Sequence, residues 1–310
     1  MEKYLDKTGL TRIRFIFSGI VQGVGFRPFI YRIAVQRGLT GFVQNRTDGV
    51  IAEVEGTYSS LLSFKEAVGL ELPPLANITS LKESELAPLG GDDFRIIASD
   101  HSGETNVHIT PDIATCGACL KELSDPDDRR FNYPFINCTD CGPRLTIIRD
   151  IPYDRENTSM ACFELCPECR KEYENPADRR FHAEPNACPV CGPRLKLFDG
   201  NGNEIKADPL SKAALLLKEG RIVAVKGIGG FHLCVDAEND EAVERLRSRK
   251  YREEKPLAVM VRDIDAAKIY AEISSEEEKL LVSHQRPIVL LEKKTSGLSS
   301  LVAPGLSRLG

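Results

Sequence analysis

Apolar and polar residues alternate over 12–18, Arg12-Ile-Arg-Phe-Ile-Phe-Ser18, and the period then lengthens to that of a helix over 26–38. The same signals predict strands over 40–46 and 49–55, a helix over 57–69, and strands over 78–84 and 93–98. Asp48-Gly49 marks a tight turn between the second and third strands, and Pro73-Pro74 ends the second helix. The leading order β-α-β-β-α-β is that of a ferredoxin-like domain. Long periodicity fades from about 105 to 197, a stretch rich in cysteine and proline.

Over 205–310 the pattern becomes α/β again. It predicts a helix over 210–218 ended by Gly220, a buried strand over 221–226, a strand over 231–235 and a helix near 239–249. A strand over 257–261, two more helices and a strand over 287–292 follow. The fold class expected is therefore α+β and multidomain, with parts at 11–98, 105–197 and 205–310. The chain stops at Leu301-Val-Ala-Pro-Gly-Leu-Ser-Arg-Leu-Gly310 without a capping helix or polar tail, and we read the third part as truncated.

The middle zone is a tandem duplication. Cys116-Gly-Ala-Cys119, Asp128-Arg-Arg-Phe131 and Cys138-Thr-Asp-Cys-Gly-Pro-Arg-Leu145 recur as Cys166-Pro-Glu-Cys169, Asp178-Arg-Arg-Phe181 and Cys188-Pro-Val-Cys-Gly-Pro-Arg-Leu195, always 50 positions later. The repeats differ in places. Cys162 stands where the first has Asp112 and reads as a free thiol, and His182 stands where it has Asn132 and reads as a surface or core histidine.

Composition narrows the function classes. Of 310 residues, 42% are apolar and 28% charged, which suits a globular protein, and no apolar run reaches the ~20 residues that span a bilayer. The first residues, MEKYLDKTGL, lack a signal core, so the expected location is cytoplasmic and no membrane partner is expected. A net charge of −5 argues against nucleic acid as a partner, though not against a local pocket for a small anion.

Ten cysteines, eight of them in four C-x-x-C pairs, point to metal rather than disulfides. Two pairs eighteen residues apart in each repeat suit a closed, tetrahedral structural zinc, two ions in all. The ligands are Cys116, Cys119, Cys138, Cys141, Cys166, Cys169, Cys188 and Cys191. Grouping within each repeat and grouping across repeats (116, 119 with 188, 191) both respect the duplication; the shorter loops favour the first.

Between the first strand and first helix lies Ser18-Gly-Ile-Val-Gln-Gly-Val-Gly-Phe-Arg-Pro-Phe29. Its glycines let amides face one concavity, the helix adds its positive end, and Arg27 forks onto oxyanions. This string resembles the acylphosphatase signature G-x-V-Q-G-V-x-F-R, and 41–50, Gly-Phe-Val-Gln-Asn-Arg-Thr-Asp-Gly-Val, resembles the second acylphosphatase block, its closing valine one place early. The resemblance implies that Arg27 and the turn Gln22, Gly23, Val24, Gly25 and Phe26 hold the phosphate of an acyl phosphate, while Asn45 orients the attacking water.

In the third part, Lys250-Tyr-Arg252 followed by Lys255-Pro-Leu257 resembles the nucleotide-binding block of the YrdC-like threonylcarbamoyl-adenylate synthases, with Lys226 a further cation upstream. That implies Lys226, Lys250, Arg252 and Lys255 around ATP taken with Mg2+. The succession of the three parts resembles the carbamoyltransferases of nickel–iron hydrogenase maturation. It implies carbamoyl phosphate and ATP as substrates, a carbamoyl adenylate, and HypE as the partner whose C-terminal cysteine receives the carbamoyl group. A tRNA-modifying synthase and a zinc-dependent RNA- or protein-binding module are the alternatives open at this point.

Overall fold

The computed structural model describes residues 9–100, 110–294 and 297–310. The segment read as lacking a signal core (1–8) and the start of the cysteine zone (105–109) lie outside the described residues. The chain divides into two compact units, Met1–Pro193 and Arg194–Gly310.

The first unit opens with a five-stranded sheet. β1 (Leu10–Ile20), β2 (Thr40–Arg46), β3 (Gly49–Thr57), β4 (Asn77–Leu86) and β5 (Phe94–Ile96) lie in the order β4-β1-β3-β2-β5. All neighbours are antiparallel except β2 and β5. Helices α1 (Phe26–Val35) and α2 (Tyr58–Leu70) complete the ferredoxin-like order that the alternation predicts. Alternate residues of β1, Phe15 and Phe17, join Phe26, Phe29, Ile30 and Ile33 of α1 and Leu61 and Phe64 of α2 in one core. Phe15 packs against Phe64 and Phe17 against Phe26, at ring centroid distances of 5.5 and 5.1 Å. Two buried carboxylates on β3 are satisfied locally: Glu53 by Arg12 and Arg14, and Glu55 by the amides of Leu89 and Gly90.

The rest of this unit is the duplicated zone. Each repeat contributes one two-turn helix, α3 (Gly117–Ser124) and α4 (Pro167–Glu174), that starts on its first C-x-x-C pair. Helices this short are marginal by themselves. The segment between the repeats carries two short 3-10 turns, Arg155–Asn157 and Ser159–Cys162.

The second unit holds α5 (Pro209–Lys218), a hairpin of β6 (Val223–Lys226) and β7 (Phe231–Cys234), and α6 (Asp240–Arg249). It continues with α7 (Ile264–Tyr270), α8 (Ser275–Leu281) and a three-stranded sheet of β8 (Ala271–Glu272), β9 (Leu291–Lys293) and β10 (Arg308–Leu309). Three sequence expectations fail here. The strand over 257–261 does not form: only single bonds run from Leu257 N to Val302 O (2.9 Å) and Val259 N to Gly310 O (2.8 Å), too few for a ladder. The expected strand over 287–292 shrinks to β9. The strand over 221–226 forms but is not buried beyond Val223, because a lone hairpin covers little of its own apolar surface and leaves Val225, Phe231 and Leu233 exposed. Among the described residues no helix is long and apolar enough to cross a membrane.

Candidate functional site

The turn between β1 and α1 is built by its glycines. Gly23 and Gly25 adopt φ of 69° and 73°, and Gly25 is the N-cap of α1 with no side-chain cap. The first-turn amides of α1 therefore stay available to an outside acceptor, at the positive end of the helix. Arg144 bonds the carbonyl of Gly23 and, through Nη2, the carbonyl of Thr139 at 2.7 Å. Because the peptide is planar, pinning that oxygen turns the amide of Val24 the opposite way.

Gln22 ties the turn to the β2–β3 connection. Its Nε2 donates to the carbonyls of Arg46 (2.7 Å) and Gly49 (2.9 Å), and its Oε1 accepts from the amide of Tyr153 (3.0 Å). Asn45, near the end of β2, is thereby brought to the turn; it and Arg27 line one small cavity with Gln22, Gly23, Gly25 and Phe26. The structure thus gathers Arg27, Asn45 and the turn, as the signature implies. Val24, 1% exposed, instead packs into the core.

Sequence reasoning missed what closes the cavity. Arg144, Tyr153, His182, Ala183, Glu184 and Pro185, all from the cysteine zone, form its other wall. Arg27 Nη1 bonds Asp154 Oδ1 and Nη2 bonds Glu184 Oε1, both at 2.8 Å. The carbonyl of Tyr153 accepts from Arg27 Nη2 (3.2 Å) and Asn45 Nδ2 (3.4 Å). Burial works against the Arg27 charge, but Asp154 and Glu184 more than offset it and hold the guanidinium protonated. Burial lifts the Glu184 carboxyl to about 7 although Arg27 pulls the other way. Burial, helped by Arg27, brings His182 down to about 4, so its ring is neutral at pH 7. Asn45 Oδ1 and His182 Nδ1, on two residues that line this cavity, are buried without a hydrogen-bond partner among the described residues. One signal could have found the part of this wall at 182–185: the repeats diverge there, with Asn132-Tyr-Pro-Phe135 in the first and His182-Ala-Glu-Pro185 in the second.

The cysteines group within each repeat, Cys116, Cys119, Cys138 and Cys141 in one cluster and Cys166, Cys169, Cys188 and Cys191 in the other. Sulfur–sulfur distances are 3.8 Å for Cys116–Cys138 and Cys138–Cys141 and 3.5 Å for Cys119–Cys141. In the second cluster they are 3.7 Å for Cys166–Cys188 and 3.8 Å for Cys188–Cys191. A tetrahedron with Zn–S bonds of about 2.3 Å has edges of about 3.8 Å, so both donor sets fit zinc with no position left open. When bound, zinc would cross-link the chain and do no chemistry here. Cys162, by contrast, is exposed and outside both clusters.

The repeats exchange their arginines. Arg129 and Arg130 of the first donate to Cys169 Sγ at 2.9 and 3.5 Å and pair with Glu172. Arg179 and Arg180 of the second pair with Glu122, and Arg179 donates to Cys119 Sγ at 3.2 Å. Arg130 Nε also caps the carbonyl of Ala187, as Arg180 Nε caps that of Asn137. Burial would raise the Glu172 carboxyl, but Arg130 and Arg129 outweigh it and hold it at about 2. Four thiolates on one zinc would leave a net charge of about −2, which these guanidinium groups, shared with Glu172 or Glu122, would partly offset across the repeat boundary.

In the second unit, Lys250 caps α6, and Arg252 and Lys255 follow in the loop after it. Arg252 Nε donates to the carbonyl of Lys255 (3.2 Å) and its Nη2 to that of Pro256 (2.9 Å). Buried Arg247 fixes the same loop through the carbonyls of Lys255 and Glu253. Lys226 makes its own contact, its Nζ 5.1 Å from the centre of the Phe231 ring.

Comparison with known proteins gives the same three parts. The acylphosphatase family profile matches residues 13–96, the HypF finger profile 115–148 and 165–198, and the Sua5/YciO/YrdC profile, described as telomere recombination, 215–310. The carbamoyltransferase HypF of Rhizobium leguminosarum bv. viciae is 53% identical over 299 residues, 96% of this chain and 38% of that protein. A crystal structure of full-length HypF in a phosphate- and nucleotide-bound form superposes with a TM-score of 0.92 at 47% identity, over 97% of this chain and 39% of that one. HypF of T. kodakarensis gives 0.88 at 50% identity, over 97% and 38%. The chain thus spans about two fifths of the length of these relatives. With acylphosphatase, paired finger and YrdC-like segments in this order, the chain belongs to the HypF carbamoyltransferase family.

Proposed function

We propose that this chain carries the carbamoyl-phosphate-cleaving and nucleotide-binding parts of a carbamoyltransferase in nickel–iron hydrogenase maturation. The domain at 11–98 hydrolyses carbamoyl phosphate. The amides after Gln22 and the Arg27 guanidinium grip the phosphoryl oxygens, and Asn45 orients a water toward phosphorus. The P–O bond to the carbamoyl group breaks, and carbamate leaves as an anion that needs no proton. Positioning and oxyanion stabilisation suffice for such a step, so no strong base is required.

The domain at 205–310 binds ATP with Mg2+ through Lys226, Lys250, Arg252 and Lys255. There carbamate would attack the α-phosphorus, giving carbamoyl adenylate and releasing pyrophosphate, a step we expect to be incomplete or absent in these 310 residues. The carbamoyl group then passes to the C-terminal cysteine of HypE: the cysteine sulfur bonds the carbamoyl carbon, the bond to the adenylate oxygen breaks, and AMP leaves. The cysteine zone at 105–197, held by two structural zinc ions, supports the first site.

The observation that carries this reading is the buried Arg27 guanidinium beside Asn45, at the uncapped N-terminus of α1. The test is direct. The chain is given carbamoyl phosphate, and phosphate release is measured. Absence of phosphate release refutes the assignment of the first site.

A further inference from the structure

The duplication holds an internal comparison. Asn132 and His182 occupy equivalent positions, and both have left-handed backbone, with φ of 54° and 51°. Their amides make equivalent bonds, Asn132 N to Leu123 O and His182 N to Tyr173 O. Asparagine is well suited to such a backbone, so the exchange to histidine does nothing for the main chain. What changes is the surroundings of the side chain. His182 lines the cavity beside Arg27 and Asn45, whereas Asn132 lines no part of it. The neighbours change with it: Tyr133 becomes Ala183, which opens space, and Pro134 becomes Glu184, which holds Arg27.

His182 is itself held in place. Its ring lies 4.9 Å from Tyr173 and 4.7 Å from Phe181, centre to centre. Tyr173 in turn donates to Glu184 Oε2 at 2.8 Å, so the ring and the Arg27 partner form one packed group. Nδ1 nevertheless has no hydrogen-bond partner among the described residues and is buried. An unsatisfied buried polar atom costs about 1–3 kcal/mol, and a ligand that carries a matching group recovers it.

We propose that His182 is a specificity-determining residue of the acyl-phosphate site, its Nδ1 accepting a hydrogen bond from the amino group of an acyl phosphate of the carbamate class. The inference rests on the acyl-phosphate reading above and deepens it. An acetyl group offers a methyl at that place, which leaves the acceptor unpaired in the complex. A site built around a hydrogen bond rejects the analogue lacking it more strongly than an apolar pocket rejects a change of size. The neutral ring has one accepting nitrogen, and we take Nδ1 as that atom.

The test compares kcat/KM for carbamoyl phosphate and acetyl phosphate in the 310-residue chain and in two variants, with zinc content measured throughout. His182→Gly suits the left-handed backbone and removes the acceptor; His182→Asn restores the first repeat's residue, whose amide oxygen takes roughly the place of Nδ1. The wild type should favour carbamoyl phosphate by about tenfold or more, the glycine variant should lose that preference, and the asparagine variant should regain part of it. A wild type that hydrolyses both substrates equally well overturns the proposal without any variant. So does a zinc-replete glycine variant that keeps the preference. A wild type that hydrolyses neither substrate refutes the acyl-phosphate reading itself, and the proposal falls with it.

Discussion

Arg27 and Glu184 stand 157 positions apart in the chain and meet at 2.8 Å, both buried. The guanidinium that the turn presents to an anion is thus already shared with a carboxyl group from the second repeat, and with Asp154 on its other nitrogen. Glu184 titrates at about 7, and a bound dianion nearby can only raise that value. The protonated form is therefore the better anion binder. Sulfate, a dianion across the neutral range, should bind most tightly on the acid side. Its affinity should weaken by up to about tenfold per pH unit as pH rises above about 7. In Glu184→Gln this slope should be lost. Calorimetric titration at a series of pH values measures both.

Removing the arginine tests the chemistry directly. Arg27→Ala should lower phosphate release from carbamoyl phosphate by about 10²–10³, the scale for loss of one preorganised oxyanion donor. Zinc should stay at two per chain, since Arg27 touches neither cluster. Unchanged hydrolysis would remove Arg27 from the mechanism.

Exchange of arginines between repeats predicts an effect in trans. Arg130→Met should weaken the cluster of the opposite repeat, Cys166, Cys169, Cys188 and Cys191, more than its own. Loss of an outer-shell donor typically costs about 10–100-fold in metal affinity. Chelator competition, with cadmium NMR to distinguish the two centres, reads which ion leaves first. Release of the ion in the first repeat would contradict the contacts.

Gly25 is constrained twice. Its φ is 73°, and an added Cβ would lie 2.8 Å from Cγ2 of Thr139. Gly25→Ala should therefore cost about 1–3 kcal/mol of stability. Hydrolysis should fall too, because the turn and the Thr139 loop can no longer close together. Thermal unfolding and phosphate release measured on one preparation check both effects.

The alternation of β1 and the spacing around Asp48-Gly49 were enough to read the sheet, because period and turn chemistry are local. Arg27 and Asn45 were legible through the signature strings. The cysteine spacing named all eight ligands yet left their grouping open; sulfur distances within each repeat close it. Asp154 and Glu184 were hidden because a contact formed across more than a hundred residues leaves no periodic trace. Glu184 was marked by a mismatch between otherwise parallel repeats, whereas Asp154, in the segment between them, had no such mark. The strand expected over 257–261 failed for the opposite reason: its composition is strand-like, but its neighbours supply too few bonds to make a ladder.

The reciprocal bonds of Arg130 and Arg180 make the two copies one folding unit: cutting out either copy strips the other of guanidinium groups beside its cysteines and of a cap on a buried carbonyl. A single repeat should therefore hold metal less tightly than the pair.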